Sequence, residues 1–334
     1  MNEATLQRLF GWQHAFDHPA VPWLVGGVFL VLVLATGLVA GLSASGRIGA
    51  STRLELHQRI KSWWILAPLM IGPVLLGAAS TFAAVLLLSL GCYREFARAT
   101  GLFREHLISA LVVLGILATT FAVVDHWYEL FMAALPLGVV TIAGIAVITD
   151  APKGYVQRTA LGVFAFAFFG NGIGHLGYFA NDVDYRPIVL FVLIAVELND
   201  VFAYVCGRLF GRRKLLPHIS PNKTWAGAIG AVVLTSAFVA LVGPHVLAGR
   251  PCAEGSRLLL LGLLIAIAGQ LGDLVLSAIK RDVGIKDFAA TIPGHGGLLD
   301  RFDSLVLVAP AVFHLIGYEH GIGLSSVPRL LTGG

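Results

Sequence analysis

The sequence predicts an all-α, polytopic membrane protein with about ten membrane segments. Three observations predict it. Of 334 residues, 57% are hydrophobic and only 13% charged, with a mean hydropathy of +0.83, too little polar surface to coat a soluble domain. Apolar runs of about 17–25 residues, the length that crosses a bilayer as a helix, recur along the chain. Lys and Arg are confined largely to alternate loops, the pattern that sets orientation in helical membrane proteins.

The elements follow in order. The opening 21 residues are polar and lack the basic start and short apolar core of a cleaved secretory signal, so the first run, 24–44, is expected to be retained. The stretch 63–93 is interrupted by Pro68, by Gly72 and Pro73, and by Gly77 to Ser80; it reads as a short hairpin, spanning or re-entrant. Further runs lie at 106–124, 129–149, 160–178, 187–206, 224–247, 257–279 and 304–322. With the hairpin, loops 45–61, 94–105, 150–159, 207–223 and 280–303 share one side and hold 18 of the 23 Lys and Arg. Arg8, Arg186, Arg250, Arg257 and Arg329 fall opposite. The basic side is therefore expected to face the cytoplasm of a bacterial-type inner membrane, with both termini outside. Residues 1–150 read as a lipid-facing scaffold and 151–334 as the unit whose loops carry the chemistry. Cys92, Cys206 and Cys252 stand apart and suggest neither a disulfide framework nor a zinc site.

Acids inside the apolar runs are costly in lipid and mark functional candidates. "VELNDVFAYVCG" holds Glu197, Asn199 and Asp200, and "GQLGDLVLSAIK" holds Asp273. A buried structural hydrogen bond, or for Glu197 an ion pair on its own helix, is the plainer alternative. Asp200 and Asp273 each lie six residues before the basic end of their run, about 9 Å below that surface at 1.5 Å per residue. Asp300 and Asp303, three residues apart, stand at the entrance to the last run on the same side. Helix capping accounts for such a pair, but not for the adjacent "PGHGG" or the flanking cations. Carboxylates in a shallow, water-accessible pocket suit a hard cation such as Mg²⁺, which prefers oxygen ligands and keeps sites for phosphate oxygens. Lys280, Arg281, Lys286 and Arg301 supply positive charge for phosphate. Gly294, Gly296 and Gly297 allow close backbone approach to an anion, and His295 offers a donor or a proton.

The earlier basic loop, "CGRLFGRRKLLPHISPNKTWAGAIG", leads through Ser220, Asn222, Lys223 and Thr224 into a spanning helix, a place where phosphates sit well. Arg212 and Arg213 read instead as surface charge that sets topology or meets anionic lipid headgroups. GxxxxGK[ST] and Rossmann fingerprints are absent, and no nucleic-acid partner is expected.

Residues 277–303, "SAIKRDVGIKDFAATIPGHGGLLDRFD", resemble the signature of the phosphatidate cytidylyltransferases, also called CDP-diacylglycerol synthases. Residues 199–227 are similar to that family's second conserved block, and "REFARATGL" (94–102) matches more loosely. The resemblance implies an enzyme that condenses CTP with phosphatidate to CDP-diacylglycerol and pyrophosphate, using Mg²⁺ and room for a second cation such as K⁺, in a chain that forms a homodimer. By motif position it implies that Asp273, Asp300 and Asp303 are metal ligands or their close supports and that Lys223 binds phosphate; the reading of the residues themselves adds Asp200 to the metal set and Lys280, Arg281 and His295 to the groups acting on the reacting phosphates. Asn199, Ser220, Asn222, Thr224, Ser277, Lys286, Gly296, Gly297 and Arg301 would bind substrate. Val201, Ala226 and Ala231 depart from the pattern, where Ser or Thr, Glu and Gly are expected, and mark a divergent branch. A different phospholipid or a polyprenyl phosphate as acceptor stays open. An ion-coupled transporter is the rival from another class, but its acids should line a path through the bilayer rather than cluster at one face.

Overall fold

A computed structural model describes residues 3–46, 49–292, 296–320 and 329–333. Helix α1 (Glu3–Phe10) precedes α2 (Ala20–Ala44), α3 (Ala50–Leu76) and α4 (Ala78–Thr100). Then come α5 (His106–Val124), α6 (Tyr128–Ala146), α7 (Tyr155–Ala165) and α8 (Ile173–Phe179), the last two joined by a π-helical turn over Phe166–Gly172. The second half holds α9 (Tyr185–Phe210), strands β1 (Lys214–Leu216) and β2 (Ser220–Thr224), α10 (Trp225–Val246), α11 (Gly255–Asp282), α12 (Leu299–Phe302) and α13 (Leu305–His320).

The all-α polytopic class is as expected; the count is not. Among the described residues eight helices are long and apolar enough to cross a membrane, against ten expected. Helix α4 falls short because Ser80, Thr81, Ser89 and a charged end dilute its apolar run, and α13 because only 16 residues of it are described. The 63–93 hairpin is also corrected: α3 and α4 are full-length helices of 27 and 23 residues that meet at Gly77. Gly77 has φ 142°, and a Cβ there would sit 2.2 Å from the Leu9 carbonyl oxygen, so only glycine makes this joint. The basic loop after α9 is a small antiparallel hairpin rather than a simple turn, with Lys214 opposite Thr224 and Leu216 opposite Ser220.

Small residues let the helices of the second half approach closely, as helix pairs in lipid require. A Cβ on Gly227 of α10 would lie 2.6 Å from the Ala203 carbonyl oxygen of α9. One on Gly262 of α11 would lie 2.5 Å from the Ser236 Cα of α10, and one on Gly272 2.6 Å from the Asp303 carbonyl oxygen. Helices α9, α10, α11 and the α12–α13 turn are thereby locked in contact near the basic end.

In the first half the organising side chain is Phe166. It is fully buried in a socket cut by Gly115 of α5, Gly138 of α6 and Gly170 of its own turn, where added Cβ atoms would meet its ring at 2.7, 2.1 and 2.6 Å. Gly138→Ala should therefore lower stability in detergent by about 1–3 kcal/mol, the usual cost of overpacking. Phe166→Leu in the same background should recover part of it, as read by thermal unfolding; equal melting of Gly138→Ala and wild type would refute the socket.

Candidate functional site

Three acids from separate elements converge where α9, α11 and the α12–α13 turn meet. Asp200 lies within electrostatic range of Asp273, and Asp303 within range of both. The cations woven among them are Lys223 and Arg301 near Asp200, and Lys280 and Arg301 near Asp303. Burial first, then repulsion from Asp273 and Asp200, pushes the Asp303 carboxyl well above the ordinary carboxylate range. Such a set, all hard oxygen donors, calls for additional positive charge.

Lys223, carried on β2, reaches back over α11 so that its Nζ lies 2.5 Å from Asp273 Oδ2. Ser277, one turn on, donates to the other oxygen at 3.0 Å. The side chains of Lys223 and Asp273 are 21% and 24% exposed, so this pair stands at the open edge of the site. A second pair is sealed. Lys280 Nζ donates to Asp300 Oδ1 at 2.8 Å, with side chains only 9% and 4% exposed, and lies 5.5 Å from the Phe288 ring centroid. Asp300 Oδ2 accepts the backbone amides of Phe288 and Gly297, each at 2.9 Å. Asp300 thus holds the loop that precedes it rather than the free amides of α12, which has no side-chain cap bond. Among the described residues no three acidic, His or Cys side chains enclose a common point as ligands to an ion.

The remaining predicted residues are spread over two levels. Asn199 is fully buried beneath the acids, accepting from Thr235 at 3.2 Å, with its amide nitrogen against Gly269. Thr224 is buried and caps α10 through Gly227 N at 3.1 Å. Arg281 is exposed and ties the end of α11 to the β-hairpin through the Ile219 carbonyl at 3.2 Å. Ser220 is half-buried, and Asn222 and Lys286 are exposed on the rim. Gly296 has φ 82° and sits where a Cβ would meet Asp300 Oδ2 at 3.1 Å. Gly294 and His295 lie outside the described residues.

Sequence reasoning missed Glu95. It lies on α4 in the first half of the chain, 6% exposed, between the exposed Arg94 and Arg98. Its carboxylate accepts from Thr291 Oγ1 at 2.6 Å and from the amides of Leu298 and Leu299 at 3.0 and 2.8 Å. The available signals were an acid at the end of an apolar run and its place in the loosely matching 94–102 stretch, and its basic neighbours made it look like surface charge.

Residues 57–318 match the Cytidylyltransferase family. The chain belongs to that family. The resemblance read from residues 277–303 and 199–227 is thus upheld over most of the chain. One relative, "Uncharacterized protein YnbB" of Escherichia coli K12, is 32% identical over 298 residues, covering 87% of this chain and 96% of that one. "Phosphatidate cytidylyltransferase" of Staphylococcus haemolyticus is 43% identical over 141 residues, 42% of this chain and 52% of that one. The Staphylococcus aureus (strain COL) protein of the same name is 40% identical over a stretch of the same length. The chain therefore spans about half the length of the phosphatidate cytidylyltransferases it matches.

In this cytidylyltransferase-family fold the sealed pair should be the costlier one to break. Removing one partner of a buried ion pair costs about 3–5 kcal/mol because it strands the other charge. Lys280→Met should lose that much stability, and Lys280→Met with Asp300→Asn should lose less than the sum of the single changes. Thermal unfolding of the four proteins in detergent tests this; strict additivity would count against the pair.

Proposed function

We propose that this chain is a multi-pass membrane enzyme that condenses CTP with phosphatidate to give CDP-diacylglycerol and pyrophosphate, working on the cytoplasmic side of a bacterial-type inner membrane. One observation carries the reading: carboxylates from α9, α11 and the α12–α13 turn gather with Lys223 at a half-open edge on the basic side of the bundle. A soluble nucleotide and a lipid headgroup can both reach that level. The family membership and the relatives named phosphatidate cytidylyltransferase support the same chemistry.

In this reading a phosphatidate oxygen forms a bond to the α-phosphorus of CTP as the bond to pyrophosphate breaks. A phosphomonoester is already ionised near neutral pH, so the chain needs no strong base. Its task is to place two anions together and to spread the charge that builds on the transferring phosphorus. Exposed Lys286 and Arg281 on the rim draw in the nucleotide. Lys223 exchanges its bond to Asp273 for a phosphate oxygen, while Arg301 and Lys280 fix the field from below. The carboxylates of Asp200, Asp273 and Asp303 are hard oxygen donors of the kind that would hold Mg²⁺. Bound there, Mg²⁺ would neutralise charge on the phosphates. Asp300, spent on Lys280 and two amides, is assigned to holding the loop on which the site depends.

Purified protein in detergent, given CTP and a panel of acceptors, should release pyrophosphate with phosphatidate; release only with a polyprenyl phosphate or another phospholipid would shift the acceptor and keep the reaction class. Lys223→Ala should cut turnover by about 10² or more, the scale of losing one electrostatic stabiliser, with unchanged melting. Asp273→Asn should abolish most turnover and weaken the thermal stabilisation that added Mg²⁺ gives by mass action. Normal Mg²⁺ response in well-folded Asp273→Asn would remove that residue from the metal set. For orientation, a cysteine at the exposed Arg212 should react with an impermeant maleimide only from the cytoplasmic side, and one at Asp184 only from outside; the reverse pattern would invert the topology.

A further inference from the structure

We propose that Glu95 is a positioning residue: from the other half of the chain it holds Thr291, Leu298 and Leu299 of the loop before α12, and so sets where Gly296 and Gly297 meet the nucleotide phosphates. The second clause rests on the function proposed above; the first does not.

Two carboxylates grip this loop. Asp300, at its own end, takes the amides of Phe288 and Gly297. Glu95 takes the Thr291 hydroxyl and the amides of Leu298 and Leu299. Between those holds, Ile292 N donates to the Gly296 carbonyl at 2.8 Å and closes an antiparallel bridge. The three residues between them in sequence are Pro293, Gly294 and His295. Donors on both sides of the bridge therefore end on the same two acids.

Among the described residues every hydrogen-bond partner of Glu95 belongs to this loop. Among the described residues no Lys or Arg forms an ion pair with Glu95; a nearly buried carboxylate of that kind is costly unless donors surround it, and charge-assisted bonds are about twice as strong as neutral ones. The loop thus compensates Glu95, and Glu95 selects one loop conformation. Gly297 is the other half of the device: a Cβ there would lie 2.4 Å from Glu95 Oε2, so a side chain would expel the carboxylate from its seat.

Helix α4 does not need Glu95 to stay in place. Phe96 packs against Phe164, Phe169 and Phe288 at 5.5, 5.2 and 6.3 Å between ring centroids, and Gly91 lies against Leu298. Glu95→Gln should accordingly loosen the loop without unfolding the bundle. Glutamine keeps the size but turns an NH₂ toward one of the amides that the carboxylate accepted.

Hydrogen–deuterium exchange on the full chain in detergent separates the two clauses. In Glu95→Gln the amides of Leu298 and Leu299 should exchange about tenfold faster or more, the scale of one lost charge-assisted hydrogen bond, while α9 and α10 keep wild-type protection. Glu95→Asp, which keeps the charge, should fall between. With CTP as substrate, Glu95→Gln should raise KM by a larger factor than it lowers kcat. Unchanged loop exchange, or exchange that rises equally in α9 and α10, overturns the hold; a loosened loop with wild-type KM overturns the positioning role. Should wild type itself fail to turn over CTP, the proposed function falls and the exchange result still decides whether Glu95 holds the loop.

Discussion

Every feature of the basic end follows from one constraint: carboxylates have been placed at the edge of an apolar bundle, where water solvates them poorly. An ion there is tolerated only beside opposite charge or convergent donors. The chain meets the constraint in three ways. Asp273 takes Lys223 and Ser277. Asp300 takes Lys280 and two amides. Glu95 takes a hydroxyl and two amides. Asp200 and Asp303 face Asp273, with Arg301 in range of both, Lys223 near Asp200 and Lys280 near Asp303.

The three solutions divide structure from chemistry. A carboxylate whose bonds all go to one loop, as those of Glu95 go to Thr291, Leu298 and Leu299, is a fastener, and its loss is felt as loop disorder. One whose partner is a partly exposed lysine on a hairpin can exchange that partner. The difference is in exposure: the Lys280–Asp300 pair is sealed, whereas Lys223 and Asp273 remain about a fifth to a quarter open. Sequence alone placed all four aspartates together as metal candidates because spacing cannot distinguish an oxygen that faces a cleft from one that faces an amide.

What was legible in the sequence was whatever depends on local pattern. The apolar runs, the one-sided basic loops and the acids at matching depth are properties of short windows, and the helices α5, α6, α9, α10 and α11 lie close to their expected bounds. The break at Gly77 was visible as Pro and Gly interruptions, but the length of α3 and α4 was not, since each helix continues into polar sequence where hydropathy gives no signal. The β-hairpin at 214–224 was hidden because basic and polar strands carry no alternation. Glu95 was hidden for a different reason: its role is defined by residues about 200 positions away, and only the packing of α4 against the loop brings them together.

That packing depends on glycine. For Asp200, Asp273 and Asp303 to share one space, α9, α10, α11 and the α12–α13 turn must cross nearly backbone to backbone. The contacts at Gly227, Gly262 and Gly272 leave no room for even a methyl group. Leu or Val at those positions would satisfy the lipid equally well, because the bilayer does not distinguish one apolar side chain from another. The spacing of the helices, and hence of the acids, is therefore a choice made by side chains that are missing. Gly296 and Gly297 repeat the device at the scale of the loop, where absent Cβ atoms admit Asp300 and Glu95. The charged groups define what the site can do, and the glycines define how closely those groups are allowed to meet.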